Sequence, residues 1–232
     1  DAQESRGLGD VYKRQVGPCR PACGGAPHPP PALLRWIMRL LRGCVYRRRM
    51  STYHLQSVFR PQSVAVIGGS PRERSAGRAV MRNLRGTGFP GKVAWINPRH
   101  AEIDGIRTVK RLKDLDWVPD LVVITAPAAI VPQVVRTAAE RGVQAAIILT
   151  AHLGDGPGSL SAQVEAVARR HGLRILGPHC LGVIAPHARL NASIAAHFPQ
   201  AGDLALISES SAIAAALVLS LIHISEPTRL LS

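Results

Sequence analysis

Aromatic residues, cysteines and acidic residues are all scarce in this chain, and each shortage narrows what the protein can be. Phe, Trp and Tyr make up only 4% of it. It therefore has no aromatic platform on which bases could stack, and no helix-turn-helix or zinc-finger pattern stands in for one. Its four cysteines, Cys19, Cys23, Cys44 and Cys180, form no Cys-x-x-Cys pair and no zinc spacing with histidine. Only Cys180 lies in the part patterned for folding, so a reducing cytoplasm is the expected compartment. No apolar run reaches the roughly 18 residues that span a bilayer; 212–222 is the longest and is too short. The 15 Asp and Glu stand against 29 Lys and Arg, a formal charge of +14. That balance points to an anionic partner. The charge is uneven: residues 1–49 hold ten Lys/Arg against three Asp/Glu, whereas 50–219 hold eighteen against eleven. The latter is a moderately basic domain, which phosphorylated small molecules explain as well as polynucleotide does.

What is present is organised around Ser63-Val64-Ala65-Val66-Ile67-Gly68-Gly69-Ser70-Pro71, followed by a helical pattern from Ser75. A β-branched run, a glycine turn and a helix start is how a first parallel strand presents backbone N–H groups to a phosphate. Gly68, Gly69 and Gly77 are wrongly spaced for GxGxxG, so a nucleotide-like ligand is better supported than a nicotinamide or flavin. An ordinary βα turn without ligand is the plain alternative for this motif alone.

Around it, strands are predicted at 64–67, 93–96, 121–124, 145–150 and 173–176. Helices are predicted at 54–60, from an N-cap at Ser75 to about Gly86, at 130–141, and from Ser159 or Ser161 to His171. Glycines 86 or 88, 142 and 172 are placed to end helices, and Pro132 suits a first helical turn. Asp104-Gly105 reads as a loop or short turn, and 191–200 as a connecting loop. This alternation is a doubly wound α/β pattern with five strands and a possible sixth. A new strand-turn-helix unit then opens at 204–207, Ser208-Glu209-Ser210-Ser211 and 212–219.

The ends carry separate expectations. Residues 31–49, with Arg35, Arg39 and Arg42 among apolar neighbours, read literally as a basic amphipathic helix or a transit peptide. However, residues 7–15 resemble the translation of a sequencing adaptor, and 220–229 that of its partner. On that reading 1–49 is non-native or disordered, Met50 is the native start, and 220–232 is an adaptor-derived tail.

In open α/β sheets, ligands bind beyond the carboxyl ends of the strands. Here that selects the loops 68–75, 97–100, 125–128, 150–158 and 177–182. Ser70 and Ser75 offer hydroxyls, and Arg72, Arg74 and Arg99 offer charge suited to a diphosphate. His179 and Cys180 are adjacent but lack a third orienting group, which argues against a nucleophile-base pair. His152, His171 and His187 have no metal spacing. Ser208 to Ser211 before a helix is a plausible second phosphate cradle.

Taken in order, 55–70, Asn97-Pro98, 119–128 and Gly177-Pro178-His179-Cys180-Leu181-Gly182 resemble the CoA-binding domain of NDP-forming acyl-CoA synthetases. That group includes ADP-forming acetate–CoA ligases and relatives with a fused or partner GNAT protein acetyltransferase, with succinyl-CoA synthetase α more distant. The resemblance covers about 50–219. It implies a Rossmann-like CoA-binding domain over 50–200 and the first β-α unit of a flavodoxin-like, succinyl-CoA-ligase-like domain over 201–219. It implies contacts to CoA from Gly68, Gly69, Ser70, Arg72, Ser75, Asn97, Pro98, Arg99, Thr125, Ala126 and Pro127. His179 and Cys180 would lie near the thioester end, and Ser208, Glu209, Ser210 and Ser211 would match the phosphate loop of the second domain.

Two residues depart from the family pattern. His179 stands for the usual Asn of Gly-Pro-Asn-Cys, and Glu209 and Ser211 alter the usual Ser-Gln-Ser-Gly. The implied cofactor is CoA or acetyl-CoA, with ADP/ATP and Mg confined to the full-length enzyme. The implied partners are a small carboxylic acid and an ATP-grasp domain or subunit, in cis or trans. The family's phosphate-relaying histidine lies outside the matching motifs, so no catalytic residue is assigned and the chain alone is expected to be inactive. The alternative is a CoA- or nucleotide-sensing module of a GNAT lysine acetyltransferase. A plain NAD-binding enzyme ranks third, because Asn97-Pro98 offers no acidic ribose-binding residue.

Overall fold

The computed structural model describes residues 53–225, with side chains described through Ser220. The expectations about 1–49 and the adaptor-like tail therefore fall largely outside the described residues. Among the described residues, no helix is long and apolar enough to cross a membrane.

A short helix α1 (Leu55–Phe59) leads into strand β1 (Ser63–Ile67), and helix α2 (Ala76–Gly86) returns the chain to β2 (Lys92–Ile96). A hairpin of β3 (Glu102–Ile103) and β4 (Ile106–Arg107) follows, then a 3-10 turn at Leu112–Asp114 and β5 (Leu121–Ile124). Helix α3 (Val131–Glu140), β6 (Ala145–Ile148), α4 (Leu160–His171) and β7 (Arg174–Leu176) complete the central layer. The five long strands are parallel in the order β2-β1-β5-β6-β7. The chain steps outward from β1 to β2 and then resumes on the other side of β1, so the winding reverses between β1 and β5. With the crossover hand usual for parallel strands, that reversal sends helices to opposite faces of the sheet.

The strand residues alternate accordingly. Ala65, Ile67, Val122, Ile124, Ala146 and Ile148 point to the face covered by Val131, Val135 and Ala138 of α3 and Val164 and Ala168 of α4. Val64, Val66, Leu121, Val123, Ala145 and Ile147 point to the face covered by Val80, Met81 and Leu84 of α2. Both faces are apolar, which is why β1 and β5 are buried at every position.

Two stretches differ from the sequence expectations. The stretch 191–200 does not begin as loop: β9 (Leu190–Ser193) pairs antiparallel with β8 (Gly182–Ala185) and packs on α2. Its anchor is Asn83, buried in α2, whose amide donates to the carbonyls of Ser193 (2.8 Å) and Ala195 (2.7 Å). Asp104 and Gly105, at φ 49° and 77°, form the expected short turn, closing the β3-β4 hairpin. The stretch 204–207 forms no strand, because it has no hydrogen-bonding neighbour among the described residues; Leu204 is 73% and Ile207 96% exposed. The helix after it, α5 (Ser211–Ser225), does form and runs longer than expected.

Candidate functional site

The carboxyl ends of the sheet strands are joined by hydrogen bonds into one continuous rim. At its centre, Gly68 leaves β1 with φ 96°. A Cβ there would sit 2.7 Å from the Ala126 nitrogen, and one at Gly77 would sit 2.5 Å from the Gly68 carbonyl oxygen and 2.9 Å from Thr125 Oγ1. Glycine at both positions lets the first turn of α2 and the end of β5 close on the β1 turn. A glycine in a helix's first turn carries a propensity cost, and that cost is the sequence signal that Gly77 serves packing.

Side chains then fix the neighbouring tips. Thr125 donates twice to the Ile67 carbonyl, from its backbone N–H (2.8 Å) and its hydroxyl (3.0 Å). Thr150 Oγ1 donates to the Ala126 carbonyl (2.7 Å), and His179 N–H to the Thr150 carbonyl (3.1 Å). On the other flank, the Asn97 amide donates to the Gly69 carbonyl. Asn97 Oδ1 accepts from the N–H groups of Arg99 (2.7 Å) and His100 (3.1 Å). Asn97 is thus buried, with both ends of its amide engaged in shaping the rim, while Pro98, Arg99 and His100 stand exposed.

The β1-α2 turn carries its own bracing. Ser75 is the N-cap of α2, accepting from Arg78 N–H (3.2 Å), as expected, and its hydroxyl donates to the Arg72 carbonyl (2.9 Å). Arg78 spans the turn, donating to the Pro71 carbonyl (2.8 Å) and pairing with both Asp104 oxygens (3.0 and 3.1 Å). Neither Arg78 nor Thr150 stands out in the sequence, since each acts through a partner in another loop. The backbone N–H groups of Gly69, Ser70, Ala76 and Gly77 have no hydrogen-bond partner among the described residues. Orphan donors beside a helix N-terminus make an anion cradle. Arg72, Arg74 and Arg99 are exposed around it and make no ion pair among the described residues.

At the far end of the rim, Gly177 (φ 96°) and His179 (φ 54°) turn the chain around a cis Gly177–Pro178 bond. The left-handed backbone at 179 favours Asn, Asp or His, so the ring is compatible with a position where an amide is usual. The Cys180 thiol is half-buried, 3.5 Å from the Ile148 carbonyl oxygen. Burial pushes its pKa up, offset in part by hydrogen bonds to backbone, so this thiol is held protonated rather than activated. Thus the rim brings together Gly68 to Ser75, Asn97 to Arg99, Thr125 to Pro127, and His179 with Cys180.

Ser208 to Ser211 form a different kind of feature. Ser210 Oγ caps α5 by accepting from Ile213 N–H (3.3 Å), and Ser208 Oγ accepts from Ser210 N–H (3.1 Å). Glu209 and Ser211 are exposed. Among the described residues no group of His, Cys, Asp or Glu is arranged to hold a metal ion.

Comparison with known proteins accounts for this architecture. Residues 62–186 match the family model described as a CoA binding domain. The acetate–CoA ligase [ADP-forming] of Methanocaldococcus jannaschii is 40% identical over 162 residues, covering 69% of this chain and 23% of that protein. Subunit alpha of acetate–CoA ligase [ADP-forming] I of Pyrococcus furiosus is 37% identical over 171 residues, 71% of this chain and 37% of that one. Among solved structures, a dinucleotide forming acetyl-coenzyme A synthetase 1 of Ca. Korarchaeum cryptofilum, in complex with phosphate and ADP, superposes with a TM-score of 0.67. It is 33% identical and aligns over 72% of this chain and 37% of that chain. The chain therefore spans only 23% to 37% of the length of these relatives.

Proposed function

The chain belongs to the CoA-binding domain family, and from that premise we propose that it holds CoA or acetyl-CoA across the strand tips as the CoA-carrying part of an ADP-forming acyl-CoA synthetase. The observation that carries this reading is the set of unpartnered N–H groups at Gly69, Ser70, Ala76 and Gly77, flanked by Arg72, Arg74 and Arg99. Such an arrangement suits the diphosphate of a nucleotide cofactor, with the helix dipole of α2 adding to the attraction. Thr125, Ala126 and Pro127 would line the path toward His179 and Cys180, where the thiol end would lie. CoA supplies a thiol that forms and exchanges thioesters; the residues here bind and orient it.

In the full-length protein the reaction would be acyl-CoA, ADP and phosphate to acid, ATP and CoA, with an ATP-grasp region in cis or trans binding ADP/ATP and Mg. Ser208 to Ser211 would contribute a phosphate cradle once joined to the rest of its domain. The ligase reading is favoured over an acetyltransferase module because the relatives described above carry ligase and synthetase names.

Parallel titrations of the chain with CoA, NAD and a short DNA duplex test the binding assignment. CoA is expected to bind in preference to NAD, with modest salt dependence, and the duplex weakly or not at all. Tighter binding of NAD, or a duplex affinity falling steeply with salt, would overturn it. The chain alone is expected to form no ATP from acetyl-CoA, ADP and phosphate.

A further inference from the structure

On the β2 side of the sheet, away from the rim, lies an apolar groove of about 250 Å³ lined by Leu84, Arg85, Gly88, Phe89, Val93, Trp95 and Ile106. Beside it runs the outermost strand of the sheet. In a parallel ladder alternate residues turn their backbone groups to the same side. Lys92 N–H bonds inward to Gln62, and the Ile96 carbonyl accepts from Gly68 N–H. The outward set is therefore Val93, Trp95 and Asn97. Val109 covers its far end, donating to the Trp95 carbonyl (2.7 Å) and accepting from Asn97 N–H (2.9 Å). The N–H and C=O of Val93 and the N–H of Trp95 remain, with no partner among the described residues.

An open strand edge next to an apolar groove is the arrangement that accepts an added strand, since backbone bonds supply affinity and alternate side chains enter the groove. The charge around it selects the occupant. Arg85 lines the groove, and Arg82, Lys92 and Arg107 stand exposed on the same three elements; none of the four makes an ion pair among the described residues. Glu102, opposite Arg107 in the hairpin, makes none with it either. A second copy of this chain brings +14, and residues 1–49 bring ten basic against three acidic side chains, so both meet like charge.

We propose that the β2 edge docks an extended acidic segment of a partner protein, which adds as a strand beside Val93 and Trp95 and places an apolar side chain between Phe89, Trp95 and Ile106. This surface is separate from the strand-tip rim, so the proposal stands or falls independently of CoA binding.

The probe is a capped heptapeptide alternating glutamate with leucine and phenylalanine, compared with its lysine counterpart and titrated against the full 232-residue chain. Binding is followed by NMR shifts and hydrogen exchange of the Val93 and Trp95 amides. The glutamate peptide is expected to bind and protect both amides, and the lysine peptide to leave them unchanged. Val93→Pro removes one outward donor without touching the bonds to β1, because those come from Lys92, Ala94 and Ile96. It should weaken the glutamate peptide about fivefold to tenfold, as should Arg85→Glu, with CoA affinity unchanged in both. Should Val93→Pro fail to fold, Arg85→Glu is a surface charge change that still decides the matter. No glutamate-peptide binding, equal affinity for the two peptides, unaltered exchange at Val93 and Trp95, or no effect of Arg85→Glu would overturn the proposal. Self-association of the chain that masks these amides would overturn it in favour of a second copy.

Discussion

Two stretches of this chain share a local pattern: an apolar run, a serine-bearing turn, and a helix with a serine N-cap. In the first, Ser63–Ile67 sits between β2 and β5, hydrogen-bonded on both sides, and is buried along its whole length. In the second, 204–207 has no neighbouring strand among the described residues, and Ile207 is 96% exposed. Yet both helices form, and both are capped alike, by Ser75 and Ser210. The contrast separates what is local from what is not: a helix and its cap need only nearby residues, whereas a parallel strand exists through its neighbours. An anion cradle of this kind follows the same division. The first turn is tightened by Thr125 and Asn97 from adjoining tips, and the second has only its own serines.

Substitutions at matched positions sharpen that difference. The largest effect is expected from Ile67→Ser and Gly77→Val. The first buries a hydroxyl in the core; the second drives side-chain atoms into the Gly68 backbone. Each should cost about 3 kcal/mol or more in chemical denaturation. Asn97→Ala comes next, at about 2 kcal/mol, because the Gly69 carbonyl and two N–H groups lose their partner. It should also weaken CoA binding, read by titration. Ser75→Ala should cost about 1 kcal/mol through the lost cap. Ser210→Ala should lower far-UV helicity while leaving the main unfolding midpoint in place, since α5 is largely exposed from Ser211 through Ser220. Ile207→Ser should change stability by less than about 0.5 kcal/mol. Equal costs for Ile67→Ser and Ile207→Ser would break the comparison.

The five parallel strands were legible because runs such as Val64 to Ile67 and Leu121 to Ile124 are short, β-branched and bounded by turn residues. The caps at Ser75 and Gly172 were legible for local reasons too. The β8-β9 hairpin was not, because Leu190-Asn191-Ala192-Ser193 has no strand-like composition and owes its place to Asn83, 110 residues away from Ser193. Within the candidate site, the loops themselves could be read from where strands end. The pairing of Arg78 with Asp104 could not, being set by a hairpin turn 26 residues on. Asn97 could be picked out as a rim residue, but its role in bracing the Gly69 carbonyl needed the neighbouring loop in view.

Whether the turn after Ile67 holds CoA is decided by amide hydrogen exchange with and without CoA. Slowed exchange at Gly69, Ser70, Ala76 and Gly77 is expected on adding CoA, with NAD leaving them unchanged. Unchanged exchange at those amides in the presence of saturating CoA, or protection confined to another face of the sheet, would contradict it.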